Sequence, residues 1–390
     1  MLSYLCFITA ALFFAAAAHP FVTYRLSLSF MRYFKLVSRS RPVPGAGRPV
    51  SSFAICVCAY NEEAVIADKV ANLLACRDAA GLPVEILIYV DAASDRTAEI
   101  LRPFADRLRL VVATERRGKS AGMNRLVGMC SADVVVFSDA NVMMAEDSLR
   151  RLRPYFDDPT VGCVCGHLVY TNGGSTPTAA VGSAYWRTEE TIKQLESDTG
   201  GVIGADGSIF AIRRSLHRPT PEDIIDDFYL SLSILCDGHR VVRAADVLAS
   251  ETSATDSADE FRRKVRIACQ AFNVHRLIRK RLAQLPWLLR YKYLSHKLLR
   301  WLSLLHAGLA GLFLVIGVTA WRGWQSGLLA ALVGGLGLAI LLTGRQPLVI
   351  RSREVLLALM ATTLGVIRSL RGDRFQTWLP PASRTLRASD

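Results

Sequence analysis

At 390 residues the chain is longer than one small module, and 51% apolar residues with a positive mean hydropathy exclude a plain water-soluble enzyme lacking membrane segments. The excess of 47 Lys and Arg over 34 Asp and Glu, a net charge of +13, suits anionic lipid or phosphorylated substrates. A nucleic-acid partner is not expected, because no interleaved aromatic and basic motif accompanies the charge, and the nine cysteines, none in C-x-x-C spacing, exclude a zinc ribbon or a disulfide framework.

Leu2 to Val22 is almost uncharged, and about 20 apolar helical residues cross a bilayer core. Residues 1–23 are therefore predicted to be a transmembrane helix. No Lys or Arg precedes this stretch, whereas Arg25, Arg32, Lys35, Arg39, Arg41 and Arg48 follow it, so the positive-inside rule places the main domain in the cytoplasm. A cleaved signal peptide ending in Ala15–Ala18 competes with this reading but lacks the basic n-region it needs. Residues 24–50 form a basic juxtamembrane linker, with Pro42, Pro44, Gly45, Gly47 and Pro49 in it.

From 51 to 270, β-rich apolar runs alternate with helical periodicity: Phe53–Ala59, Glu62–Cys76; Glu85–Val90, Arg96–Phe104; Leu108–Ala113, Lys119–Met129; Val134–Ser138. The alternation predicts an α/β domain with a Rossmann-like, mostly parallel sheet, and such sheets collect ligands at the carboxyl ends of their strands. Cys56 with Cys58, and Cys163 with Cys165, fall on single strand faces as small buried side chains, which favours a reducing compartment.

Residues 271–297 read as an interfacial amphipathic segment and 298–343 as two transmembrane helices. In 344–390 a basic loop carries Arg345, Arg351 and Arg353. The short apolar stretch Leu356–Ile367 is an interfacial helix or a third C-terminal membrane helix, and the tail after Arg368 returns to the cytoplasmic surface. The expected location is the plasma (inner) membrane, multi-pass, with the catalytic domain cytoplasmic.

Polar clusters stand just after the predicted strands. Tyr60, Asn61, Glu62 and Glu63 offer an aromatic face and polar groups suited to a nucleobase, or simply a helix cap with first-turn acids. Asp91 stands at a strand end, and Ser94 or Asp95 caps the helix after it. Gly118-Lys119-Ser120 has the end of a phosphate-binding loop, but Ala113 replaces its first glycine, so a triphosphatase is rejected while Lys119 remains placed to meet a phosphate. The strand Val134–Ser138 delivers Asp139 and Asn141 to its end. One carboxylate and a diphosphate suffice for Mg²⁺ or Mn²⁺, and a plain Asp/Asn turn is the blander alternative. Further on, Glu222, Asp223, Asp226 and Asp227 put adjacent carboxylates before an apolar helix, where one buried member becomes a useful base.

The ordered set Tyr60-Asn61-Glu62-Glu63, Asp91, Gly118-Lys119-Ser120-Ala121-Gly122-Met123-Asn124, Asp139-Ala140-Asn141, Gly207-Ser208, Asp226-Asp227 and Arg263–Ile267 resembles glycosyltransferase family 2. The likeness is to its membrane-embedded branch, the relatives of cellulose, hyaluronan and poly-N-acetylglucosamine synthases. The resemblance implies a GT-A fold, a UDP-sugar donor, Mg²⁺ or Mn²⁺, and inversion at the anomeric carbon. By the same resemblance Tyr60, Asn61, Glu62 and Asp91 would hold uridine, Lys119 and Asn124 would line the donor pocket, and Asp139 would serve ribose, diphosphate or metal. Asn141 stands where a second Asp is usual. Asp227, with Asp226 before it, would be the general base, and Asp206, Gly207 and Ser208 would meet the acceptor.

At the family's Q-x-x-R-W the chain reads Arg263-Lys264-Val265-Arg266-Ile267, which keeps the second basic position but lacks both Gln and Trp and so puts processive extension in question, while Arg263 and Arg266 would both belong to the donor side. Arg266 would offset charge on the leaving group. Expected partners are the donor, a glycan or lipid-linked acceptor, membrane lipid and, where a polymer is made, components of polysaccharide synthesis or export. The alternative is a non-catalytic nucleotide-sugar sensor or scaffold.

Overall fold

The fold is that of a computed structural model, which describes residues 1–36, 49–172, 176–252 and 256–377. Most of the predicted Pro/Gly linker and the end of the C-terminal tail lie outside the described residues.

Two helices open the chain, α1 (Leu2–Ala18) and α2 (Thr23–Tyr33), bent by 66° at the break between them. There follow β1 (Phe53–Ala59), α3 (Ile66–Ala79), β2 (Val84–Val90), α4 (Thr97–Leu101), β3 (Arg109–Val112), α5 (Lys119–Met129), β4 (Val134–Asp139) and β5 (Met143–Met144). Next come α6 (Ser148–Leu152), β6 (Val161–Tyr170), α7 (Pro177–Asp198), β7 (Ile209–Arg213), α8 (Asp226–Cys236), β8 (Arg240–Glu251) and α9 (Ser257–Leu282). The chain ends in α10 (Trp287–Tyr293), a π-helical turn at Leu294–Leu298, α11 (Leu299–Trp301), α12 (Ser303–Arg322), α13 (Trp324–Thr343) and α14 (Pro347–Arg371).

The strands form one sheet in the order β3-β2-β1-β4-β7-β6-β8-β5. Its first four strands are parallel, as the βαβ alternation predicts; β7 then runs antiparallel between β4 and β6, which makes the sheet mixed. Strands β1 and β4 are fully or almost fully buried and have near-continuous apolar sequence, as strands covered on both faces require. Register fixes the site: Ala59 pairs with Val90 and Cys58 with Asp139, so Tyr60, Asp91 and Asp139 leave the sheet side by side. All nine cysteines are free, and all but Cys236 are fully buried.

Among the described residues, α12 and α13 are each long and apolar enough to cross a membrane, and α1 with α2 would add a third crossing if that bent pair is one span. Their large apolar side chains are largely exposed, among them Leu312, Leu314, Leu332, Val333 and Leu336, and so much bare apolar surface would be unfavourable in water. α1 lies along α12. α14 is a continuous helix packed on α9, longer than its apolar centre alone indicates.

Candidate active site

The centre of the site is an ammonium among carboxylates. Gly118 ends the loop before α5 with φ 86° and ψ 168°, a backbone region almost confined to glycine, and Lys119 is the first helical residue. Lys119 Nζ lies 2.6 Å from Asp139 Oδ1 and 3.8 Å from Asp226 Oδ1. Asp227 completes the group across Gly207: a Cβ there would stand 3.0 Å from Asp227 Oδ2 and 3.1 Å from Lys119 Nζ. A side chain at 207 would be tight against both charged groups, which would have to give by a few tenths of an ångström. Burial opposes the charge of Lys119, but Asp139, Asp226 and Asp227 outweigh it and hold its pKa above the ordinary value.

Asp226 and Asp227 open α8 and are both buried. Burial and the adjacent Asp226 push the Asp227 carboxyl up to about 8, with Lys119 pulling the other way. Asp227 Oδ1 accepts from the Phe228 amide at 2.5 Å. Asp226 Oδ2 is buried and has no hydrogen-bond partner among the described residues.

The segment that delivers these acids is clasped by α5. Asn124 makes a reciprocal pair with the Thr220 backbone, donating at 2.7 Å and accepting at 2.9 Å, while Ser120 Oγ donates to the Ile224 carbonyl at 2.6 Å. Both groups of the Asn124 amide are thus engaged in positioning the acid loop.

At the neighbouring strand end Asp91 is fully buried. It accepts from the Arg117 amide at 2.8 Å and the Gly118 amide at 3.0 Å, so it shapes the loop that presents Lys119. Asn61, at φ 53°, accepts from the Ser94 amide at 2.8 Å, and the Glu62 amide donates to Thr97 Oγ1 at 2.9 Å. Asp95 accepts from the Thr97 amide at 3.0 Å, but the cap position of α4 is Arg96, which makes no side-chain cap bond, so neither Ser94 nor Asp95 is the N-cap. The Tyr60 ring is covered by the Arg116 guanidinium, 3.4 Å from its centroid; a base entering here meets a cation-backed aromatic.

Asp206 is paired with Lys193 at 2.5 Å and accepts from Ser208 Oγ. β4 ends at Asp139 and the chain turns there, and Asn141 donates to Glu251 Oε1 at 3.1 Å. Arg263 is paired with Glu260 at 3.0 Å and held charged first by that carboxylate, with Glu251 adding to it. Arg266 donates to Gln270 at 3.2 Å, whose own amide holds the Phe375 carbonyl at 2.6 Å. Through Gln270 these contacts link Arg266 to the C-terminal segment.

Two features escape the sequence reading. Lys69 is completely buried and donates to Ser138 Oγ at 2.9 Å and the Val142 carbonyl at 2.5 Å, bracketing the turn that bears Asp139. Its signal was present: with Ile66, Val70 and Leu73 it lies on the helical face that the core covers. The second is the segment after α14, where Gln376 donates to Glu222 at 2.7 Å and Arg374 pairs with Asp223 at 3.2 Å, at the mouth of the site.

For Mg²⁺ or Mn²⁺ the donor set is spare. Among the described residues no three His, Cys, Asp or Glu gather as a metal cluster, and Asp139, half exposed, is the carboxylate open to a cation. That fits an ion completed by water and diphosphate oxygens, not one caged by protein.

Residues 54–219 match the model described as glycosyl transferase family 2. An N-acetylglucosaminyltransferase of Rhizobium meliloti (strain 1021) is 25% identical over 64% of this chain and 64% of its own length. A beta-monoglucosyldiacylglycerol synthase of Synechocystis sp. (strain ATCC 27184 / PCC 6803 / Kazusa) is 32% identical over 55% of this chain and 47% of its own. The chain thus spans about half to two thirds of these curated relatives. A mannosyltransferase from Pyrobaculum calidifontis, solved with GDP-Man and Mn²⁺, shares the fold with a TM-score of 0.67 at 22% identity, covering 95% of this chain and 99% of that one. Residues 54–219 are thus similar to glycosyl transferase family 2, and the chain shares the fold of the solved mannosyltransferase.

Proposed function

We propose that the chain is a membrane-bound inverting glycosyltransferase that moves a sugar from a UDP-sugar to a hydroxyl of a lipid-linked or growing glycan. The observation that carries this is the placing of Lys119 between Asp139 and Asp226 with Asp227 beside it across Gly207. One cation positioned for a diphosphate and one buried carboxylate of raised pKa are the two halves of a displacement site.

In that displacement the acceptor oxygen attacks the anomeric carbon as the bond from that carbon to the diphosphate oxygen breaks. The acceptor proton passes to the Asp227 carboxylate, and the nucleoside diphosphate departs with the electron pair. Lys119 faces the negative charge that grows on the leaving oxygens; such preplaced charge strengthens in a water-poor site. A divalent ion bound by Asp139 together with the donor would neutralise diphosphate charge. Helices α12 and α13, with the α1–α2 pair, would anchor the domain in the plasma membrane with the site on its cytoplasmic face, where the Arg345, Arg351 and Arg353 loop also belongs.

The test is to incubate the full chain in detergent with a panel of UDP-sugars, and with GDP-mannose as a separate arm, and to measure release of the nucleoside diphosphate. Turnover with a UDP-sugar that Asp227→Asn reduces by about 10²-fold or more is expected, the scale of a lost general base. Donor binding without turnover under every acceptor offered would instead identify a sensor. Turnover with GDP-mannose alone would replace the donor assignment.

A further inference from the structure

A buried ionic cluster lies between the 206–208 segment and the start of α12, and the transfer chemistry does not use it. α7 contributes Tyr185, Glu189 and Glu196; Lys292 comes from α10, His296 and Lys297 from the π-helical turn, and Arg300 from α11. His296 stands between the two acids, Nε2 2.8 Å from Glu189 and Nδ1 2.7 Å from Glu196. Arg300 Nη1 is 2.6 Å from Glu189 and 3.0 Å from the Tyr185 hydroxyl. Lys292 donates to the carbonyls of Glu196, Thr199 and Gly201.

Burial would raise both acids, but the surrounding cations outweigh it: Glu189 is held well below the usual carboxylate range and Glu196 near about 2. The two carboxylates therefore face three basic side chains, Lys292, Lys297 and Arg300, before His296 is counted, although burial lowers the pKa of both lysines, Lys292 to about 8. The adjoining set, Glu190 and Asp206 against Lys193 and Arg243, balances within itself. Basic groups outnumber carboxylates here, in a buried place where an unpaired charge is unfavourable.

The excess falls on Lys297 and Arg300. The Lys297 ammonium approaches Glu189 only at 3.5 Å, long for a charge-assisted bond, and shares that oxygen with His296. Arg300 Nε is buried with no hydrogen-bond acceptor among the described residues. Both side chains keep some solvent exposure, 17% and 12%. Lys297 Nζ is 5.7 Å from the ring of Phe228, the residue after Asp227, and its Cε is 3.7 Å from where a side chain on Gly204 would begin. Arg300 stands just before Ser303, where the first C-terminal candidate span starts.

We propose that Lys297 and Arg300 seat a phosphate group of the acceptor, so that the acceptor is a phosphate-bearing lipid held at the membrane surface next to Asp227. This rests on the transferase reading and names its acceptor class. A phosphate brings the missing negative charge and several acceptor oxygens for the ammonium and the guanidinium edge. A neutral lipid alcohol would leave the excess charge uncompensated.

The test is calorimetric titration of the full chain in detergent, without donor, using dodecyl phosphate, dodecanol and inorganic phosphate as probes. Dodecyl phosphate is expected to bind about tenfold or more tightly than dodecanol, a difference of one charge-assisted contact. Lys297→Gln should abolish that preference and Lys297→Arg should keep it. Equal binding of dodecanol by the unaltered chain, or an undiminished phosphate preference in Lys297→Gln, overturns the proposal. Equally tight binding of inorganic phosphate assigns the seat to a free anion and overturns the lipid, and displacement of dodecyl phosphate by uridine diphosphate assigns it to the donor. Because no sugar is transferred in this measurement, absence of turnover on every donor would sink the transferase reading alone.

Discussion

Asn141 donates its side-chain amide to Glu251 at 3.1 Å, so the position where related enzymes carry a second Asp is built here to face a carboxylate. An Asp at 141 would put two anions at hydrogen-bond distance and raise the pKa of one. Asn141→Asp is therefore expected to lower turnover by about tenfold without tightening metal binding, the effect of one unfavourable buried contact. Asn141→Asp combined with Glu251→Gln restores a donor–acceptor pair and should recover most of the loss. The check is nucleoside diphosphate release at varied Mn²⁺ in the two single variants and the double variant; a single Asn141→Asp that gains metal affinity contradicts the geometry.

The second prediction concerns pH. Burial first and Asp226 second push Asp227 up to about 8, and a base acts only when ionised. Turnover should rise with pH and level off above about 8. Asp226→Asn removes the neighbouring charge and should move that limb to lower pH, even if the maximum falls. The same shift bears on folding. The folded pKa lies above the unfolded one, so the contribution of Asp227 to stability is complete below about pH 4 and is lost as pH rises through about 8. Urea unfolding of Asp227→Asn against the unaltered chain across that window measures it; a difference that grows as pH falls would contradict the sign.

How much of this was readable in advance depends on the range of the interaction. The strands β1, β2 and β4 and the helix α5 follow from local apolar runs, and parallel pairing then sets Tyr60, Asp91 and Asp139 on one edge. The roles of Asp91 and Asn124 were less legible, because a polar residue at a strand end or helix start looks the same whether it contacts ligand or loop backbone. Only the fold brings Arg117 and Gly118 to Asp91, or Thr220 to Asn124. The approach of Gln376 to Glu222 spans 154 positions, and no local pattern records it.

That approach makes Gly118 a second test. Its φ of 86° already disfavours any other residue, and a Cβ there would lie 2.1 Å from the Gln376 carbonyl oxygen. Gly118→Ala is expected to cost about 1–3 kcal/mol in backbone strain alone and to displace either the 374–377 segment or the amides that hold Asp91. Thermal unfolding should show the loss of stability, and donor affinity should fall with it. A variant with unchanged melting and unchanged donor KM would mean the segment does not lie where the structure has it.

Lys69 provides the last prediction. Its ammonium is fully buried, with burial lowering its pKa to about 8 against the pull of Cys76 and Asp139, and it donates on both sides of the Asp139-Ala140-Asn141 turn, to Ser138 Oγ and the Val142 carbonyl. Lys69→Met fills similar volume but leaves two buried acceptors without a donor, each loss on the order of 1–3 kcal/mol. The turn is then free to relax, and Asp139 moves relative to Lys119. The expected kinetic signature is a donor KM raised by more than kcat is lowered, because in the proposed transfer Asp139 and Lys119 would face the diphosphate while Asp227 keeps its place at the start of α8. If the rise appears in neither KM nor Mn²⁺ dependence while stability falls, Lys69 supports the core and does not position Asp139.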